Sequence, residues 1–114
     1  MTIDWDRLRD RTDYSVIVYD NFHHANAEEA YAIFGFADAE TALSHCKQMV
    51  DGCLKEAAEP GFDADMIYGR YTAFGDDPTV HSPRGAPEVR FSAWTYAREN
   101  AGRFMIAASK GDAV

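Results

Sequence analysis

Cysteine is scarce. Cys46 and Cys53 are the two in a chain of 114 residues. Seven positions apart on a helix, they stand about 10.5 Å apart along the axis, too far for the roughly 7 Å that a disulfide allows. Two free thiols fit a reducing compartment, and both read as small buried apolar residues. There is no Cys-x-x-Cys and no histidine at zinc-finger spacing, so no structural zinc site is expected. No apolar run approaches the ~18 residues of a membrane span. The opening Met1-Thr2-Ile3-Asp4-Trp5-Asp6 lacks a basic region followed by an apolar stretch, so a secretory signal is not expected and the expected location is cytoplasmic.

Basic clusters are missing too. The densest group, Arg7, Arg9 and Arg11, alternates with Asp6, Asp10 and Asp13. The formal net charge is −8, and residues 1–65 hold 14 acids against 5 bases. Such a surface repels phosphate backbones, so nucleic acid is not an expected partner. The charge keeps the protein soluble, or forms an acidic face for a basic partner. Gly61, Gly69 and Gly75 have the wrong spacing for a phosphate loop. Ser15, Ser44, Ser82 and Ser92 lack a Gly-x-Ser-x-Gly setting.

What is present is ordinary globular composition, 46% hydrophobic and 26% charged, in a length that suits one domain. Residues 1–13 read as a polar arm, either a short helix or loosely docked. Residues 14–108 form a single α+β domain, and 109–114 a disordered tail. Tyr14-Ser15-Val16-Ile17-Val18-Tyr19 is β-branched and aromatic on both faces, a strand central in its sheet. Residues 30–36 make a second strand, paired antiparallel through a long loop.

Asp38 caps a helix over 39–58. Its apolar residues Ala39, Ala42, Leu43, Cys46, Met49, Val50, Cys53, Leu54 and Ala57 trace one face, and Lys47, Asp51 and Lys55 lie opposite. Asp63 starts a second helix over 63–74, with Met66, Ile67, Arg70, Tyr71 and Phe74 inward and Gly75 closing it in the left-handed conformation. Asp76-Asp77-Pro78 reads as an acidic turn and Thr79-Val80-His81 as a short strand. Val89-Arg90-Phe91 reads as a third strand or an extended approach. Ser92 caps a helix over 93–101, with Phe91 and Tyr96 at hydrophobic-staple spacing. Residues 103–108 suit a strand or a docked tail.

Asp20, Asn21, His23 and His24 form the best candidate site, joined by Asp76 and Asp77 if the fold brings that turn near. Glu28 and Glu29 lie further along the same loop. Histidine and carboxylate together can hold a divalent metal or do acid–base work. Adjacent histidines in an extended segment point to opposite sides, however, so no metal and no other cofactor is expected. The bland alternative is a solvated loop in which Asp20 and Asn21 bond local backbone. His45 and His81 are isolated. The chain also holds two Trp, six Tyr and seven Phe, more than one face of a small sheet must take. The surplus would make a patch for a protein partner or for self-association.

Tyr19-Asp20-Asn21-Phe22-His23, Phe74-Gly75-Asp76-Asp77-Pro78 and Phe91-Ser92-Ala93-Trp94-Thr95-Tyr96-Ala97 together resemble a pattern in a family of small uncharacterised bacterial proteins. The resemblance covers residues 14–101. It implies a bacterial, cytoplasmic, single-domain protein and brings no activity or catalytic residue with it. The expected fold is α+β, a small, mainly antiparallel sheet with three helices packed on one face. The expected function is a non-enzymatic interaction or regulatory module. The rival is a small enzyme or ligand-binding domain built on Asp20, His23 and His24. The enzyme needs a concave pocket with convergent polar groups where 20–29 meets 75–78, and the module needs an apolar patch without them.

Overall fold

The computed structural model of the protein describes residues 3–23 and 30–107; of His23 it describes the backbone only. His24, Glu28, Glu29 and the tail 109–114 lie outside the described residues.

The apolar run at 14–20 becomes β1 (Tyr14–Asp20), the middle strand of a three-stranded antiparallel sheet. One neighbour is β2 (Tyr31–Phe36) and the other is β3 (Asp76–His81). Both faces of β1 are covered, which is why its sequence does not alternate. Val16 and Val18 pack with Ala42, Cys46 and Val80. Ile17 packs on the other side with Ile3, Leu8 and Ala30. In β2 the register slips between Tyr14 and Val16 of the partner strand, and Gly35 at φ 93° takes up the extra residue.

Residues 3–13 supply the second cover. Trp5–Arg9 form a short helix, α1, started by the Asp4 side chain and burying Leu8 completely. Arg11, paired with Asp13 at 2.5–2.6 Å, lies 4.3 Å over the Phe34 ring of β2.

The long helix α2 (Ala39–Ala57) starts on Asp38, whose carboxylate accepts from the Thr41 N–H at 2.7 Å. Its apolar stripe buries Ala42, Cys46, Val50, Leu54 and Ala57. Asp51, expected on the solvent side, is half-buried and accepts from the Tyr96 hydroxyl at 2.9 Å. Helices α3 (Ala64–Phe74) and α4 (Ala93–Asn100) complete that layer. Ile67, Tyr71, Ala93 and Ala97 close on Val50 and Leu54. The α+β fold thus has the three expected helices, with α1 as a fourth. Ser92 accepts from the Thr95 N–H at 3.1 Å, and Phe91 meets Tyr96 at 5.8 Å between ring centroids. Beyond α4, Ala101–Phe104 form a tight turn, and Ile106 bridges to Pro60.

Other expectations differ from the structure. Gly75 is extended, at φ −82° and ψ 175°, because β3 begins at the next residue and leaves no room for a left-handed cap. For the same reason Asp76-Asp77-Pro78 is strand, not turn. Met66 and Phe74 are 47% and 65% exposed, since the apolar face of α3 is narrow and is filled by Ile67 and Tyr71. Residues 89–91 pair with no strand among the described residues.

No helix among the described residues is long and apolar enough to cross a membrane.

The two thiols should separate in a labelling experiment. Cys46 is fully buried, and burial pushes its pKa up to about 12. Cys53 is partly exposed, also raised by burial. At mildly alkaline pH a polar thiol reagent should modify Cys53 slowly and Cys46 only after denaturation, because the thiolate is the reactive form. Mass spectrometry of native and unfolded samples reads both rates.

Candidate functional site

The chain leaves β1 at Asp20 and turns sharply. The Asp20 carboxylate accepts from the Phe22 N–H at 2.9 Å, and Asn21–His23 form one 3-10 turn. Asparagine and aspartate favour such turns because their short side chains bond nearby backbone. Asn21 does something else. It is buried, and its backbone N–H donates to the Gly75 carbonyl at 3.0 Å. Its Nδ2 donates to the Tyr71 carbonyl at 3.1 Å, and its Oδ1 accepts from Trp94 Nε1 at 3.0 Å. One side chain therefore ties the end of β1 to the end of α3 and to the first turn of α4.

Tyr71 and Gly75 are shaped to this junction. The Tyr71 hydroxyl donates to the Asp76 carbonyl at 2.6 Å. A Cβ on Gly75 would meet the Tyr71 ring at 2.5 and 2.7 Å, so no side chain fits there. Phe74 is turned outward, and its ring stacks on Phe22 at 5.6 Å with the planes 20° apart.

The result is a concavity of about 700 Å³ lined by Asn21, Phe22, Thr72, Ala73, Phe74, Asp77 and Trp94. The segments 19–23, 74–78 and 91–97, far apart in sequence, each supply part of its wall. Phe22 is 57% exposed and Trp94 45%. Polar groups in the wall are mostly committed inward. Trp94 and Asn21 bond as above, and Thr72 Oγ1 bonds the Gly69 carbonyl at 2.9 Å. The Asp77 carboxylate has no hydrogen bond or ion pair among the described residues, and burial raises its pKa.

Asp76 points elsewhere. Successive strand residues face opposite sides, so Asp76 and Asp77 do not converge. Asp76 is paired directly across the sheet with Asp20. Its N–H approaches Cys53 Sγ at 3.5 Å. It borders a second hollow of about 600 Å³ with Cys53, Glu56, Arg70 and Phe74. Burial first, then the nearby Asp20 and Glu56 charges, raises the Asp76 pKa.

The expected loop site is thus divided. Asp20 and Asp76 come together, Asn21 and Asp77 border the aromatic concavity, and Asp20 bonds local backbone as the bland reading had it. The His23 side chain and His24 lie outside the described residues. Among the described residues no three His, Cys, Asp or Glu side chains gather as a metal site. A pocket is present where the enzyme reading expects one, and among the described residues its walls are largely aromatic and its polar groups do not converge. Sequence reasoning missed Phe22, Phe74 and Trp94 as one site. The signal was the surplus of aromatic residues over what one face of a small sheet takes.

No family model matches this chain, and no curated protein or solved structure is significantly similar to it.

Asn21→Ala should cost about 1–3 kcal/mol, because it strips partners from the Tyr71 carbonyl and the Trp94 indole. Denaturant unfolding measures the loss, and faster solvent exchange of the Trp94 indole N–H shows where it arises. Asp76→Asn should act oppositely. Like charges opposed across strands destabilise by about 0.2–1 kcal/mol, so the variant should be that much more stable at pH 7. Asp76 has a raised folded pKa, so the folded state holds its proton more tightly than the unfolded state does. Its unfavourable contribution is therefore full above the raised pKa and fades as pH falls toward the ordinary aspartate value. Wild-type and Asp76→Asn stabilities should converge on acidification, in denaturant titrations at neutral and acid pH.

Proposed function

We propose that this domain is a non-enzymatic protein-interaction module and that the concavity between Phe22, Phe74 and Trp94 is its contact site. The observation that carries the reading is the outward stacking of Phe74 on Phe22 beside a Trp94 whose indole N–H is already bonded to Asn21. Aromatic rings are costly to leave in water, and in a partner interface they are the side chains that contribute most. Here they are held by a buried amide and by the backbone of α3 and β3, so binding need not order them first. The arrangement supports recognition of an extended segment of another protein, one of whose side chains lies against the rings.

The reading also accounts for the chemistry of the wall. An acid–base enzyme brings polar groups to one point. Here Asp76 and Asp77 face different hollows, and the amide and indole groups bond to each other.

A displayed random-peptide library tests this. Selection on the wild-type domain should enrich binders that lose affinity for both Phe74→Ala and Trp94→Ala. Phe74 is largely exposed, whereas Trp94→Ala also removes a donor from Asn21, so circular dichroism checks that both variants remain folded. Binders indifferent to both substitutions, or no binders, would overturn the proposed site.

A further inference from the structure

We infer that the side chain this site takes is a cation, the guanidinium of an arginine in a basic segment of a partner protein, held against the exposed ring surface of Phe74 and Trp94 and the carboxylate of Asp77. The inference rests on the binding-module reading and adds the chemical class of the ligand.

The argument begins with what the wall can offer. Its donors are turned into the protein: Trp94 Nε1 onto Asn21, Asn21 Nδ2 onto the Tyr71 carbonyl, and Thr72 Oγ1 onto the Gly69 carbonyl. Among the described residues the lining offers rings and one carboxylate, and none of them is basic. Ring faces carry negative potential and attract cations, and arginine stacks on them more readily than lysine. A carboxylate adds a planar acceptor that a guanidinium meets with two parallel bonds. Among the described residues an anion would find no free donor there, and a neutral apolar group would leave Asp77 desolvated without a counter-charge.

The surroundings extend the same field. Phe74 also borders the second hollow, where Glu56 and Asp76 lie and where Asp20 opposes Asp76 across the sheet. Arg70 is the one basic residue among the described residues of that wall, and it is ion-paired with Glu59. A segment crossing Phe74 therefore meets carboxylates on both sides of the ring. The chain as a whole carries a net charge of −8, which draws basic segments toward it. A segment with repeated arginines suits this surface better than an isolated small cation.

Heteronuclear NMR on the intact protein tests the inference, with the indole N–H signals of Trp94 and Trp5 as reporters. Trp5 lies on α1 and does not line the concavity, so it registers nonspecific attraction to the acidic surface. The probes are three short peptides of equal length, alternating Gly with Arg, Glu or Tyr. The Gly-Arg peptide should shift the Trp94 signal saturably and leave Trp5 in place. Asp77→Asn, which keeps the shape, should weaken it about tenfold, and Phe74→Leu should weaken it comparably. If the Gly-Tyr peptide saturates the Trp94 shift and the Gly-Arg peptide does not, the module stands and the cationic ligand is wrong. If no peptide moves Trp94, or if Gly-Arg shifts Trp94 and Trp5 together with no response to Asp77→Asn, the inference fails. Neutral and basic library binders lacking in the selection above would remove the module itself.

Discussion

The site depends on one buried amide. Asn21 is the point where β1, α3 and α4 are held together, through its own N–H to Gly75, its Nδ2 to Tyr71 and its Oδ1 from Trp94. Each of these groups would otherwise be an unmet donor or acceptor at the border of the core, at a cost of about 1–3 kcal/mol where water is excluded. Meeting them together fixes three directions in space. The turn after β1 must run toward α3. The α3–β3 corner must bring the Gly75 carbonyl to it, which the bare Cα of Gly75 against the Tyr71 ring permits. The first turn of α4 must present Trp94 edge-on. Phe22 and Phe74 are the neighbours of these anchored residues, and their outward stacking follows.

Electrostatics around this corner are uneven in a way that the sheet explains. β3 is an edge strand that begins with two aspartates and a proline, residues that discourage further strands from adding to an exposed edge. Pairing with β1 then opposes Asp76 to Asp20, and the pleat sends Asp77 to the other side. Edge protection and a distribution of carboxylates over two hollows arise from the same three residues. The opposite edge is different. β2 carries no charged side chain, and its Phe34 ring lies under the Arg11 guanidinium supplied from the α1–β1 connection.

How far the sequence foretold this can be judged residue by residue. The central strand was legible because both faces of 14–19 are apolar, and the long helix because nine apolar residues share one stripe. Caps at Asp38, Asp63 and Ser92 are local chemistry and stood out as such. What escaped was set by contacts distant in the chain. Asp76-Asp77-Pro78 has the composition of a turn and becomes strand because β1 offers a row of backbone partners. Phe74 has the spacing of a core residue on α3 and turns outward because Tyr71 already occupies the available depth. Asn21 looks like a loop residue whose partners are local, whereas its side chain bonds to residues 50 and 73 positions away. No periodicity encodes a contact of that kind.

Magnitudes explain why aromatic surface alone is an incomplete account of such a site. A half-exposed aromatic ring has about 100 Å² left to bury, given the roughly 150–250 Å² such side chains remove from water in full. At about 25 cal/mol per Å² each ring contributes about 2.5 kcal/mol, and three contribute about 7.5. Association costs about 4–15 kcal/mol in lost motion before any affinity is seen. Ring burial therefore comes close to break-even and discriminates poorly among apolar side chains. Net affinity and selectivity have to come from a group that is worse off without the partner than with it. Among the residues of this wall that group is Asp77, whose carboxylate is partly desolvated and has no counter-charge among the described residues. A cation laid against the rings relieves that desolvated charge and gains the attraction of the ring faces in the same step, and that combination is open to no neutral ligand.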